Sequence, residues 1–461
     1  MRALRVFAEG VFFILRERGL LPFGGKDGII SMGGSAGFSF CGRQISREEK
    51  AMKKEDLMRI FTETDYVHRS GTPEEKRAAE YLKARCEELG VPARLEGFRV
   101  PMGDVEEAHV VIDGEEIPCR GFACCGSGEI SGELYYMPDT DKVSMAGAKG
   151  KIVLLDTQGI GVFGYKDLMD AGAAGILFQY GNMYYPHEDI DERDLREYVR
   201  GEERKVLCAM IHTGSAVKIV ASGAKRASIS IRQREYDGES HNVVAELPGS
   251  REEYITLTAH YDSTSLSHGS YDNMSGCAGL LGVMDAMKDR EHSYGLRFVF
   301  CGSEERGLLG SKAYVRDHAD ELPKTALNIN LDMIGTALGK FIARVSAEDK
   351  LAHYISYMGA EVGFPVSAKT GVYSSDSTPF ADNSVPALSF ARIASGNAAP
   401  IHCRYDTPAL ISADQLERDI AFIAEFTRRM ANAAVCPVSR EIPESVRREL
   451  DEYLGRKRKN Q

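Results

Sequence analysis

The stretch Tyr254-Ile-Thr-Leu-Thr-Ala-His-Tyr-Asp262 reads as one buried strand with chemistry at its far end. Its first six residues are apolar or β-branched, the length and composition of a strand covered on both faces. His260 and Asp262 follow, two residues apart, so an extended backbone turns both to the same side. The figure recurs downstream. Leu296-Arg-Phe-Val-Phe-Cys301 precedes Gly302, Ser303, Glu304 and Glu305. Ala326-Leu-Asn-Ile-Asn-Leu331 precedes Asp332, and Pro386-Ala-Leu-Ser-Phe390 ends a little before His402. Between the first two runs, residues 276–287 have the texture of a helix. Strands alternating with helices, with polar groups gathered after the strands, predict an α/β fold. The expected form is a mixed, mostly parallel central sheet flanked by helices, with its site beyond the carboxyl ends of the strands.

The residue types at those ends are the ones that hold divalent cations. Zinc accepts imidazole nitrogen and carboxylate oxygen, and paired-metal sites of this kind serve hydrolytic enzymes. Two cations need end ligands for each and one carboxylate that reaches both. The chain reads as His260 with Glu305 on one ion, Asp332 with His402 on the other, and Asp272, in Tyr271-Asp-Asn273, between them. Glu304 is left beside the ions, where a carboxylate can take a proton from water. Asp262 would orient the His260 imidazole. Each residue has a plainer reading. His260 and His402 would be ordinary strand-end and loop histidines, Asp272 a turn residue, Asp332 a strand cap. Glu304 and Glu305 would sit at the start of a helix that residues 307–315 suggest. The set as a whole favours a site, because adjacent buried carboxylates repel unless cations are present. No Gly-x-Ser-x-Gly elbow with His and Asp partners points to a serine nucleophile.

Six segments, in order, carry a family resemblance. They are Ala259-His-Tyr-Asp-Ser263, Tyr271-Asp-Asn-Met-Ser-Gly276, Ser303-Glu-Glu-Arg-Gly-Leu-Leu-Gly-Ser311, Asn330-Leu-Asp-Met-Ile-Gly335, Ser375-Asp-Ser-Thr-Pro-Phe380 and His402-Cys-Arg-Tyr-Asp-Thr407. In these the chain resembles the M28 family of zinc metallopeptidases, which includes aminopeptidases and glutamate carboxypeptidase-like enzymes. The resemblance covers roughly residues 240–435 and a helix near residues 73–89. It implies a zinc exopeptidase-like fold, two Zn2+ per chain, peptide substrates and a cis peptide at Asp272-Asn273. It implies metal ligands at His260, Asp272, Glu305, Asp332 and His402, and catalytic roles for Glu304 and Asp262. Asp406 and Thr407 match a pattern that supports the ligands from behind, and Asp376 and Arg392 are pocket candidates. The final motif looks like the aminopeptidase branch. A carboxypeptidase or dipeptidase of the same family would keep every ligand and add pocket cations. The basic residues Lys149, Lys151, Arg193, Arg196, Arg200, Arg204 and Lys205 read instead as scattered surface charge. A single-zinc cyclase of N-terminal glutamine would have a reduced ligand set, and a non-catalytic peptidase-like binding protein would have lost ligands.

At 461 residues the chain has room for two or three domains. Its net charge of -11 speaks against a nucleic-acid partner, and no apolar run is long enough to predict an integral membrane span. Thr72, Pro73, Glu74 and Glu75 open a helix, which Ala78, Leu82, Cys86 and Leu89 continue and Gly90 ends; a strand follows from Val91 to Val100. From about 104 to 237 the texture changes to short strands and turns. Residues 150–155 read as a strand, and residues 166–178 pass from a helix through a glycine turn into another. This region resembles the protease-associated (PA) domain. The expected organisation is therefore a poorly ordered extension over 1–50, and a discontinuous zinc peptidase domain over 51–103 and 238–437. A β-rich PA-like insertion spans 104–237 and a charged tail 438–461, the tail read as a solvated helix with a frayed basic end. Ten cysteines without a CxxC pattern read as reduced and buried, which favours the cytoplasm. Secretion is the alternative, since Val11-Phe-Phe-Ile-Leu15 follows Arg2 and Arg5, but Glu9 interrupts the run and no small-residue cleavage site follows.

Overall fold

The computed structural model describes residues 52–458, and the extension expected over 1–50 lies outside them. Fourteen strands follow in chain order: β1 (Ala93–Ile112), β2 (Glu115–Ile117), β3 (Cys119–Gly121), β4 (Gly128–Met137), β5 (Ile152–Leu155), β6 (Gly175–Tyr180), β7 (Cys208–His212), β8 (Arg226–Leu247), β9 (Tyr254–His260), β10 (Gly295–Cys301), β11 (Thr325–Leu331), β12 (Lys340–Ser346), β13 (Ser367–Thr370) and β14 (Ala387–Ile393). They join in the order β13-β12-β14-β11-β9-β10-β8-β4-β5-β6-β7-β3, and β1 lies along β8. β14, β11, β9 and β10 run parallel, while β12 and β8 flank them antiparallel. The apolar runs therefore form the mixed, mostly parallel sheet that their composition dictates. β9 and β10 are buried at every position.

Two helices cover this sheet closely. The helix Ser275–Met287 is buried along nearly its whole length, and two glycines explain how it approaches its neighbours. A Cβ at Gly276 would stand 2.4 Å from the Leu331 carbonyl oxygen, and one at Gly282 would stand 2.8 Å from Ile420 Cγ2. The helix Ala413–Ala431 brings Phe422 and Phe426 onto Phe390, with centroids 6.0 and 5.4 Å apart. Phe364 stacks on Phe422 at 4.4 Å. At the helix Pro73–Glu88 the Thr72 side chain accepts from the Glu75 amide, as its sequence predicts.

The region expected as an insertion, residues 104–237, is not hung on short linkers. β1 and β8 pair without interruption from Ala93/Ala245 to Ile112/Ala227, apart from one bulge at Val105/Glu107. The borders expected near 103 and 238 thus fall inside two continuous strands. Beyond them β4, β5, β6 and β7 run parallel, with helices Val162–Asp170 and Thr213–Ser222. This region holds a second α/β layer, which includes the helix and strand expected within residues 166–178 and a further helix after β7.

The tail also differs from its expected solvated form. In the helix Glu444–Tyr453, Val446 and Leu450 are buried with Ile442 in a cluster that includes Tyr314, Phe380 and Val385. Their i, i+4 spacing makes one apolar stripe on an otherwise charged helix. Beyond it Arg456 pairs with Asp382 and Arg458 with Asp167. No helix among the described residues is long and apolar enough to cross a membrane.

Candidate metal centre

β9, β10 and β11 end together, and their register sets the site. Cys301 lies beside His260. Asn330 lies beside Thr258, so Asp332 comes level with His260 across the β9-β11 seam. The two side chains meet, with His260 Nε2 3.7 Å from Asp332 Oδ1. Asp272 Oδ1 completes this group at 3.2 Å from His260 Nε2. The other Asp272 oxygen faces a second group: His402 Nε2 is 3.0 Å from Asp272 Oδ2 and 2.9 Å from Glu305 Oε1. In each group the ligand atoms all lie within 4.8 Å of one another. The pairing along the chain is thereby corrected. His260 shares its group with Asp332, not Glu305, and Glu305 shares with His402. Sheet order is the reason: β9 lies directly between β11 and β10, while Glu305 stands four residues past the level of His260, looped out toward His402. Asp272 keeps the bridging place. The Asp272-Asn273 peptide is cis, as the resemblance implies.

A shell of hydrogen bonds holds these groups. Asp262 is wholly buried. It accepts from the Glu304 amide at 2.8 Å, the Glu305 amide at 3.1 Å and the Ser70 hydroxyl at 2.7 Å, with its Oδ1 3.6 Å from His260 Nδ1. One carboxylate thus sets both glutamates as well as the imidazole it was expected to orient. Asp406 accepts from the Tyr271 and Asp272 amides at 2.7 and 3.2 Å and fixes the bridging loop from behind. Thr407 bonds through its backbone to its own turns, its amide donating to the Tyr405 carbonyl and its carbonyl accepting from the Leu410 amide. Ser303, Met333 and His402 all have positive φ, at 53, 68 and 58°. Non-glycine residues pay about 1–2 kcal/mol there, and such strain gathers at functional sites.

The charge balance tests whether cations fit. Burial pushes Glu304 well above the usual carboxylate range, and Glu305, Asp376 and Asp332 add to this against the pull of His260. Burial also raises Asp376 to about 6 and, with the charge of Asp272, Asp406 to about 7. Burial alone would lower His260, but Glu304, Asp262, Asp272 and Asp332 raise it well above its ordinary value. Asp332 Oδ1 is buried without a donor, and Glu305 Oε1 faces His402 without hydrogen-bond geometry. Two imidazoles cannot neutralise this cluster. Zinc ligands at 2.0–2.2 Å in a tetrahedron stand about 3.3 Å apart, and the contacts above bracket that spacing. The residues fit two divalent cations.

Of the pocket candidates, Arg392 is spent elsewhere, pairing with buried Asp419 through Nε and Nη2 at 2.8 and 2.5 Å. Asp376 lies buried within the electrostatic reach of Glu304, beside the Ser311 hydroxyl and the Cys301 thiol. Several supporting residues escape the sequence reading. Glu75 takes both the amide and the hydroxyl of Ser303, and burial with the charge of Asp262 raises it to about 8. Asn273 links the Leu331 carbonyl to the Gly276 and Met333 amides. Arg196 is not scattered surface charge: its Nη2 donates to the Glu305 carbonyl at 2.5 Å.

Residues 242–427 match the model of peptidase family M28. Aminopeptidase YwaD of Bacillus subtilis is 26% identical over 345 residues, covering 70% of this chain and 71% of its own length. Leucine aminopeptidase 2 of Trichophyton rubrum is 33% identical over 199 residues, which cover 41% of this chain and 38% of that protein. Among solved structures, the zinc aminopeptidase BSAP of Bacillus subtilis superposes with a TM-score of 0.68 at 21% identity, over 86% of this chain and 98% of its own.

Proposed function

Residues 242–427 match peptidase family M28, and from that premise we propose that the protein is a two-zinc aminopeptidase acting on the free N-terminus of peptides. The observation that carries this is Asp272, one buried carboxylate that offers a separate oxygen to each of two ligand groups. Zinc bound there would supply Lewis acidity, polarising a peptide carbonyl and lowering the pKa of water. The protein's own part centres on Glu304. Its raised proton affinity suits a group that takes a proton from the attacking water and delivers it to the departing amine. Asp262 fixes the backbone of both glutamates, so Glu304 is held beside the ligands without being one of them.

An α-ammonium suits a pocket with surplus carboxylate. A carboxypeptidase needs free cations instead, and Arg196 is already engaged with the Glu305 carbonyl, the Tyr198 hydroxyl and Asp194. The relatives named aminopeptidases support the same choice. The test is a peptide and its N-acetylated twin, followed by mass spectrometry. Stepwise loss of N-terminal residues from the free peptide alone is expected. C-terminal release from both overturns the reading.

A further inference from the structure

The strand ends hold both ligand groups in part, Glu305 through the amide that Asp262 accepts, but residues 104–237 bond to only one of them. His260 ends β9, and Asp332 follows β11 with its amide bonded to the Phe390 carbonyl of β14 at 3.0 Å. Among the described residues no hydrogen bond or ion pair from 104–237 reaches His260, Asp272 or Asp332. The nearest grip of the insertion on that side is at Ser265, through Asp191 and Glu192. Glu305 and His402 have no strand beneath them. Each lies in a loop, and each has its backbone carbonyl taken by the insertion. Arg196 Nη2 donates to Glu305 O at 2.5 Å, and the Tyr180 hydroxyl donates to His402 O. Around these two bonds Arg404, two residues past His402, pairs with Asp189 through both Nε and Nη2 at 2.7 and 2.5 Å. Tyr185 packs edge-on against Tyr405 at 5.0 Å, and Arg306 pairs with Asp194 at 3.2 Å.

We propose that the insertion, through Tyr180 and Arg196 as positioning residues, sets the zinc affinity of the Asp272-Glu305-His402 group and leaves that of the His260-Asp272-Asp332 group to the sheet. The inference rests on the two-zinc reading above. Its physical basis is preorganisation. A loop ligand that must be ordered as the ion binds loses affinity, and the two carbonyl bonds supply that order beforehand. Outer hydrogen bonds of this kind are worth about 10–100-fold in metal affinity. Linkage makes the effect reciprocal: filling this group tightens the insertion onto the catalytic sheet, and emptying it loosens the segment around residues 180–200.

The experiment uses the full chain, stripped with a chelator and equilibrated with zinc buffered over a range of free concentrations. Bound zinc is counted, and the emptied position is located by anomalous scattering. Tyr180→Phe removes one hydroxyl from a nearly buried ring and keeps its packing. We expect the wild type to take up two equivalents. Tyr180→Phe should hold one as before and need about tenfold more free zinc for the second, with the empty position at Glu305 and His402. Arg196→Met should act on the same position. Tyr165→Phe, whose hydroxyl bonds the Arg204 carbonyl and the Val206 backbone inside the insertion, should change neither. Hydrogen exchange over 180–200 should slow on filling the second equivalent. Equal weakening of both equivalents, emptying at His260 and Asp332, or unchanged uptake in both variants overturns the proposal. A wild type that binds two zinc ions with any of those outcomes leaves the peptidase reading intact, whereas a wild type that binds none overturns both.

Discussion

The continuous sheet contains two sets of parallel strands, and their carboxyl ends carry polar groups in opposite states. Beyond β5, Asp156 receives the Tyr136 hydroxyl at 3.4 Å and Gln179 Nε2 at 3.2 Å. Gln179 in turn takes the Thr213 hydroxyl, and His212 at the end of β7 accepts from the Gly214 amide at 3.1 Å. Apart from the buried His212 Nε2, which has no partner, these groups satisfy one another. Beyond β9, β10 and β11 the carboxylates outnumber their donors, and Asp332 Oδ1 is left buried without one. Both sets obey the same rule that polar residues follow parallel strands. The geometry of the strands therefore does not single out the site. Uncompensated charge does, because a buried carboxylate without a partner is costly unless something binds it.

The sharpest way to break this comparison is to remove the proposed cations. Chelation should abolish turnover, and zinc should restore it. It should also lower the unfolding temperature, because Asp272, Glu305 and Asp332 are then left in mutual repulsion and a ligand of the folded state is lost. Turnover that survives chelation would place the chemistry elsewhere. Glu304→Gln goes a step further, since it spares the ligands. Zinc content should persist while turnover falls by roughly 10²–10⁴-fold, the usual range for a general base. Asp156→Asn, at the equivalent strand end of the other set, should leave turnover unchanged. If Glu304→Gln instead emptied the metal groups, the roles of the two glutamates would be exchanged.

The same contrast explains what the sequence reveals. β9, β10, β11 and β14 are legible because parallel strands are buried on both faces and so become unbroken apolar runs, and because His260 and Asp332 follow directly. The ligand types are legible from their chemistry. Their pairing is not, because it depends on β9 lying between β10 and β11, and neighbour order in a sheet leaves no local mark. Arg196 and Tyr180 stay hidden for a related reason: each reaches a carbonyl more than a hundred residues away, and nothing in the surrounding residues announces it. The tail misleads because two buried residues, Val446 and Leu450, are outweighed by their charged neighbours. The insertion misleads because a strand such as β8, which is exposed in its middle and buried at its end, does not look like one element.

A next comparison asks whether the two sheet regions unfold separately. Phe422 is buried beneath β14, and Phe178 stacks on Phe122 in the insertion at 4.8 Å. Truncating either to alanine should cost about 3–5 kcal/mol. β1 and β8 pass through both regions, so each change should shift one common calorimetric transition. Two resolved transitions, only one of them moved by Phe178→Ala, would show that the insertion folds on its own.

A smaller effect belongs to His68, which is fully buried near the catalytic side. Burial lowers its pKa to about 4, against the opposing pull of Asp262. The folded protein therefore keeps this imidazole neutral while the unfolded chain takes up a proton below about 6.5. Its contribution to stability is complete above that pH and is lost as the pH falls toward 4. Between pH 7 and pH 5 the loss should be about 2 kcal/mol. Urea unfolding of wild type and His68→Asn at both values isolates it from the other acids. A difference between the two proteins that does not change with pH would show that His68 does not titrate this way.

The smallest expected effect lies where the tail meets the insertion. Arg458 makes two 2.6 Å contacts with Asp167 and lies over the Phe163 ring at 4.9 Å. Both side chains are about a third exposed, so water and salt screen the pair. Bidentate geometry and the ring contact raise it above a single surface pair, but exposed pairs of this kind add little. The apolar stripe of Val446 and Leu450 does more, since burying one such side chain is worth about 1.5–3 kcal/mol. Arg458→Ala should therefore lower stability only slightly at low salt, and by less still in concentrated salt. Leu450→Ala should cost about 2–5 kcal/mol at any salt concentration. The order tests which force fastens the tail. If Arg458→Ala proved the more damaging change, and salt did not soften it, the ion pair rather than the apolar stripe would be what holds the tail between the catalytic sheet and the insertion.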